Sequence, residues 1–176
     1  GAILATKDGR ALQGESAPVR QPNIVYIMAD DMGYGDLGAY GKVYDTPNID
    51  RIGAEGIQLT QAYANSCVCT ATRVGLITGR YQNRFRIGQE EPLAAASATI
   101  GLDPALPTMP SYLRQLGYRT ALVGKWHMGD APRFGPTKSG YDRFFGLYSG
   151  GKGYFLQPQD EGAALRDGNR VLKTDR

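Results

Sequence analysis

Apolar residues along this chain fall into short runs separated by glycine and proline, and strand-like and helix-like periods alternate among them. Asn23–Ala29 is a continuous, partly β-branched run between Pro22 and Asp30, the pattern of a buried parallel strand. Thr46–Gly56 reads as a helix, with Thr46 as cap, Pro47 as first helical residue, Ile49 and Ile52 facing inward and Gly56 as stop. Leu59–Ala64 alternates like a short strand. A further helix opens near Cys69. Thr70 and Thr72 are its available caps, Val74, Leu76 and Ile77 its apolar face, and Gly79 its end. Residues 81–107, broken by Pro92, Pro104 and Pro107, predict a surface excursion along a cleft. Thr108–Gly117 predicts a second capped helix with Tyr112, Leu113 and Leu116 inward, and Tyr118–Gly124 a strand after it. Gly140–Ser149 reads as an aromatic cover for a sheet edge or cleft wall. Ala164–Arg166 and Arg170–Leu172 flank Asp167-Gly168-Asn169, a hairpin turn. This rhythm predicts an α/β fold with a doubly wound, mostly parallel sheet flanked by helices. Residues 1–21 lack periodicity and predict a mobile leader before a domain over 22–176.

Composition narrows the function classes. The 176 residues suffice for one core, and 41% hydrophobic with 21% charged residues describes a folded domain. A net charge of +3 from scattered basic residues gives no basic stripe for nucleic acid. Two cysteines build no disulfide framework, and no apolar run is long enough to span a bilayer.

Three stretches carry candidate chemistry. Asp30 and Asp31 end the first predicted strand, where open α/β sheets bind ligands. Adjacent carboxylates repel unless a cation lies between them, and hard Ca²⁺ or Mg²⁺ suits oxygen ligands. The alternative is one capping and one solvated aspartate. Cys69 stands at a predicted helix N-terminus with Arg73 one turn on, surroundings that attract anions. Its alternatives are a structural cysteine or a redox pair with Cys67, although a Cys-x-Cys spacing closes poorly into a disulfide. Lys125 and His127, two apart, point the same way in extended backbone. A cation and an imidazole together suit an anionic substrate and proton transfer, against a structural role beside Trp126.

Taken together the motifs are specific. Cys69-Thr70-Ala71-Thr72-Arg73 followed by Thr78-Gly79-Arg80 resembles the signature of the type I sulfatases, Cys-x-Pro-x-Arg or Cys-x-Ala-x-Arg, with Ala71 in place of the commoner proline. Pro22–Val25 with Asp30–Asp36, Thr46–Asp50, Gly117–Thr120 with Gly124–Gly129, and Gly140–Gly146 resemble further segments of that family, so the likeness spans about residues 22–172. The resemblance implies an alkaline phosphatase-like fold, here incomplete at the C-terminus, and hydrolysis of aryl or carbohydrate sulfate esters. It implies that a maturation enzyme oxidises Cys69 to 3-oxoalanine (formylglycine), whose hydrate attacks sulfur, expels the alcohol and releases sulfate as the aldehyde re-forms. Asp30, Asp31 and the Cys69-derived oxygen would bind Ca²⁺, with Mg²⁺ as alternative. Arg73 and Lys125 would hold the diol and the sulfate oxygens, and His127 would hydrogen-bond the diol. The family's remaining metal and substrate ligands find no match before Arg176. A periplasmic or secreted setting follows from the family, with a cytoplasmic one left open. Two rivals stand beside this reading: a phosphonate or phosphate ester hydrolase of the same superfamily, and an inactive shortened chain serving at most as a binding module.

Overall fold

The computed structural model describes residues 21–41, 43–89, 97–151 and 164–172. The chain divides after Pro47 into two compact units. In the first, the run Asn23–Ala29 does not form the predicted buried strand. Val25 is 82% and Ile27 80% exposed, and none of the described strands pairs with it. A continuous apolar run is buried as a strand only where neighbours bond its edges and cover both faces. The unit is closed instead by local bonds. Gly33 N–H donates to Asp36 Oδ2 (2.7 Å) across a short 3₁₀ turn, Tyr34–Asp36, and Gly38 N–H donates to Thr46 Oγ1 (2.8 Å).

Helix α1, Pro47–Glu55, opens at its proline as predicted. The expected inward pair does not turn inward: Ile49 and Ile52 are both exposed, and the helix buries no residue. Leu59–Ala64 is likewise an exposed turn rather than a strand, for want of a neighbour to pair with among the described residues.

The second unit is built around Val74 and Ile77 of α2 (Cys69–Thr78), Ile87 of α3 (Arg86–Gln89), and Leu102, Trp126, Met128, Phe144 and Tyr148. Ile87 and Leu102 correct the reading of residues 81–107 as a surface excursion. Proline ends helices but does not stop single apolar side chains from turning into a core. Residues 90–96 of that stretch lie outside the described residues. Helix α4, Met109–Gln115, starts at a reciprocal cap. Thr108 Oγ1 accepts from Ser111 N–H (3.3 Å), and Thr108 N–H donates to Ser111 Oγ (2.8 Å). Of its predicted inward residues only Leu113 is half-buried, while Tyr112 and Leu116 are exposed.

Strand β1, Ala121–Lys125, pairs in parallel with β2, Arg143–Leu147. The hairpin β3 (Arg166–Asp167) and β4 (Arg170–Val171) continues the sheet antiparallel. The described sheet is therefore mixed, with the longest pairing the predicted parallel one. Its second strand is the aromatic segment read as a cover: Phe144 is buried and Phe145 exposed, the alternation of a strand with one face inward. The hairpin turns where predicted, with Gly168 at φ 60°. It is fastened to the core by Tyr148, whose hydroxyl donates to Asn169 Oδ1 (3.0 Å) and whose ring lies 4.8 Å beneath the Arg166 guanidinium.

Asp142 clamps α4 to the start of β1 and β2. It accepts from Thr120 N–H (2.8 Å) and Thr120 Oγ1 (3.1 Å) and pairs with Arg114 Nε at 3.0 Å. The Thr120 backbone N–H foremost, then its hydroxyl and the Arg114 and Arg119 charges, hold this carboxyl below its ordinary range against a smaller desolvation effect. A depressed native value means the stabilisation is present above the unfolded value, about 4, and is lost as pH falls through the lower native one. Asp142→Asn should therefore lower the thermal midpoint at pH 7, and the two proteins should converge as pH falls below about 4. Parallel melting curves from pH 7 downward check this; a constant gap would refute it.

Candidate active site

Cys69 is the first residue of α2, half-buried, with a free thiol, while Cys67 is exposed. The helix starts without a side-chain cap, its N-cap being Val68 in extended conformation. The two threonines expected to cap it do otherwise. Thr72 Oγ1 turns back to donate to Ser66 O (2.6 Å), and Thr70 is wholly buried with no hydroxyl partner among the described residues. Gly79 ends the helix in left-handed conformation (φ 64°), as the sequence predicts, its N–H donating to Gly75 O.

Arg73, one turn beyond Cys69, joins this helix to the sheet. Its Nη1 donates to the carbonyl O of Lys125 at 2.7 Å across 52 residues. The cysteine-bearing helix is thereby held at the carboxyl end of β1, where Lys125 is the last strand residue and half-buried.

His127 is buried at 3% exposure and stands just past the strand. Trp126 N–H and His127 N–H donate to Leu147 O and Tyr148 O, both at 2.9 Å, and the Trp126 indole donates to Phe134 O (2.8 Å). The backbone of His127 is left-handed, φ 56°, so the expectation that Lys125 and His127 share a face by strand alternation does not apply; β1 ends between them.

Two neighbours were not anticipated. A Cβ on Gly150 would lie 2.7 Å from His127 Cε1, so the imidazole stands against a position with no side chain. Tyr141 packs edge-on against Trp126 with centroids 6.3 Å apart; burial pushes its phenol up, partly offset by the Arg73 charge. A signal for Gly150 was present in the pair Gly150-Gly151; Tyr141 carried none apart from its aromatic neighbours.

The structure thus brings Arg73 to the Lys125 backbone, with Cys69 at the start of the same helix and His127 two residues past the strand. Asp30 and Asp31 belong to the first unit, both exposed, with Asp31 at φ 57°. Among the described residues no group of three or more His, Cys, Asp or Glu side chains gathers to hold a metal. Two carboxylates are the right hard donors for Ca²⁺ or Mg²⁺ but do not fit a complete site, since Ca²⁺ takes about six to eight oxygens.

The family model described as Sulfatase matches residues 22–165. Mouse steryl-sulfatase (Mus musculus) is 42% identical over 159 residues, covering 82% of this chain and 26% of that protein. N-acetylgalactosamine-6-O-sulfatase of Bacteroides thetaiotaomicron is 40% identical over 143 residues, 80% of this chain and 27% of that protein. Among solved structures, that of Ps i-CgsB superposes with TM-score 0.78 at 31% identity, over 88% of this chain and 38% of that one. The chain belongs to the sulfatase family, and its fold is that of the sulfatases. It spans about a quarter of the length of the curated relatives it matches.

Replacing Arg73 by Lys keeps the charge but not the fork that reaches Lys125 O. Arg73→Lys should cost about 1.5–3 kcal/mol, the loss of a charged hydrogen bond. A shift in urea midpoint measures it, and an unchanged midpoint would show that the bond does not hold α2 to β1.

Proposed function

We propose that this chain carries the nucleophile and anion-binding part of a sulfate-ester hydrolase acting on aryl or carbohydrate sulfates. The observation that carries the reading is the Arg73 bond to Lys125 O. It ties the helix that begins at Cys69 to the carboxyl end of β1, two residues before the buried His127, which supports reading these residues as one site. Relatives named arylsulfatase A and N-acetylgalactosamine-6-O-sulfatase support the substrate class.

Cys69, oxidised to formylglycine by a maturation enzyme, would supply a carbonyl hydrate as oxygen nucleophile toward sulfur. Arg73 and Lys125 would bind the sulfuryl oxygens and offset the negative charge that grows on them as the ester bond breaks. Arg73 is suited to this because its own position is fixed by Lys125 O, so little reorganisation is needed during reaction. His127, oriented by its N–H bond to Tyr148 O and by burial, would hold or move a proton at its imidazole. Asp30 and Asp31 would contribute carboxylates to a divalent cation, Ca²⁺ or Mg²⁺, as part of its donor set. No role given to Arg73, Lys125 or His127 depends on that ion. In keeping with its family, the enzyme would work in an exported setting, periplasmic or secreted; no helix among the described residues is long and apolar enough to cross a membrane.

The test is direct. Protein co-expressed with a formylglycine-generating enzyme should carry an aldehyde at Cys69 and an unchanged thiol at Cys67, read by peptide mass spectrometry. In the context of a full-length sulfatase, the matured chain should support hydrolysis of an aryl sulfate at least about a hundredfold faster than Cys69→Ala, a difference near 2.7 kcal/mol in barrier. Active protein with an unmodified Cys69 thiol would sink the assignment. Faster turnover of an aryl phosphodiester than of the sulfate would instead favour phosphoester hydrolysis, since sulfuryl and phosphoryl groups are alike in size and shape.

A further inference from the structure

Asn65 opens the run that carries Cys69, and none of the chemistry above uses it. Its side-chain amide donates to the carbonyl O of Ala71, in the first turn of α2, at 3.2 Å and to Gln82 Oε1 at 2.7 Å. Gln82 Nε2 returns a bond to the backbone carbonyl of Asn65 at 3.2 Å. The two residues lie 17 apart, one before α2 and one after it, so their reciprocal bonds close the base of a loop holding Cys69 and the whole helix.

Gly75 makes the seat for this clasp. A Cβ there would overlap the Asn65 amide, which therefore lies on bare helix backbone between Ala71 and Gly75. The residues between Asn65 and the helix are tied in the same direction: Val68 N–H donates to Ser66 Oγ (3.2 Å), and Thr72 Oγ1 to Ser66 O (2.6 Å). With no side-chain cap on α2, these bonds are what orders the approach to Cys69.

We propose that Asn65 is a positioning residue: seated on Gly75 and clasped by Gln82, it fixes residues 66–68 against α2 and so holds the first helical turn, where Cys69 stands, in one place. The catalytic consequence rests on the sulfate-ester reading; the clasp itself does not. Displacing a reacting group by about 1 Å is enough to cost on the order of a hundredfold in rate.

The experiment compares Asn65→Ala, Gln82→Ala, the double variant and Gly75→Ala in the full chain. Amide hydrogen exchange over residues 66–70 is read in unmatured protein, and aryl sulfate kinetics and the Cys69 peptide mass in matured protein. Asn65→Ala should speed exchange about tenfold and lower kcat ten- to a hundredfold. KM should stay within about twofold, with Cys69 oxidised to the same extent. The double variant should be little worse than Asn65→Ala, as expected of two residues in one network. Gly75→Ala is the sharper arm: alanine ordinarily favours a helix over glycine, yet here it should lower kcat as Asn65→Ala does. Unchanged exchange in Asn65→Ala, or wild-type kcat in Gly75→Ala, overturns the proposal. Should matured wild-type protein hydrolyse no sulfate ester, the reaction is misread, and the exchange measurement still decides the clasp.

Discussion

The guanidinium of Arg73 bonded to the last carbonyl of β1 is the constraint on which the candidate site depends. Without it, α2 and the strand are two elements that share a core; with it, the N-terminal residue of the helix has a defined place beside the strand's end. A charged donor is the right means, because it satisfies a strand-end carbonyl at a point where the ladder stops and does so with a strong bond. The core below is arranged to keep both partners still. Val74 and Ile77 hold the buried face of α2. Trp126, locked by its bonds to Leu147 O and Phe134 O, holds the chain just past Lys125.

Behind that point the sheet is stiffened from the far side. Gly124 and Gly146 face each other across β1 and β2, and a Cβ on Gly146 would overlap the Gly124 carbonyl oxygen. The strands can approach there because Gly146 lacks a side chain, whereas a Cβ on Gly124 would meet open space. Tyr148 then links three features at once. Its carbonyl accepts from His127, its ring stacks on Phe144 at 5.2 Å, and its hydroxyl reaches the hairpin. The histidine is thus oriented by a residue that is itself fixed at both ends.

How much of this was legible in the sequence depended on whether local rules were enough. α2 with its glycine stop, the Thr108 start of α4, β1 and the Gly168 hairpin all follow from caps, periods and turn residues acting over a few positions. The candidate set Cys69, Arg73, Lys125 and His127 was drawn from motif spacing, and the bond from Arg73 to Lys125 O brings two of its members together. What failed needed partners distant in sequence. Ile24 to Ile27 are as apolar and β-branched as a buried strand requires, but a strand is a pairing, and spacing alone does not supply the neighbour. The aromatic run around Phe144 and Phe145 failed in the opposite sense, since its alternation was masked by adjacent phenylalanines and it became the centre of the sheet. Asn65 escaped because an asparagine before a helix looks like an ordinary turn residue until Gly75 and Gln82 are seen against it.

Two non-glycine residues among those described have left-handed backbones, Asp31 and His127, and both were picked out beforehand for their chemistry. Such a conformation costs on the order of 1–3 kcal/mol and persists only where something else determines it. For His127 the cause is visible: its N–H is committed to Tyr148 O, its side chain is buried, and the bare position at Gly150 leaves room for the ring. The conformation also has a geometric consequence at each place. In extended backbone, neighbouring side chains point to opposite faces, so Asp30 and Asp31 would diverge and no cation could be shared between them. A left-handed Asp31 lifts that alternation. The same departure at His127 frees the imidazole from the direction that strand alternation with Lys125 would impose. The same left-handed step thus stands at two positions proposed for chemistry, and at His127 it comes directly after the end of β1, where it re-aims the side chain that follows the strand.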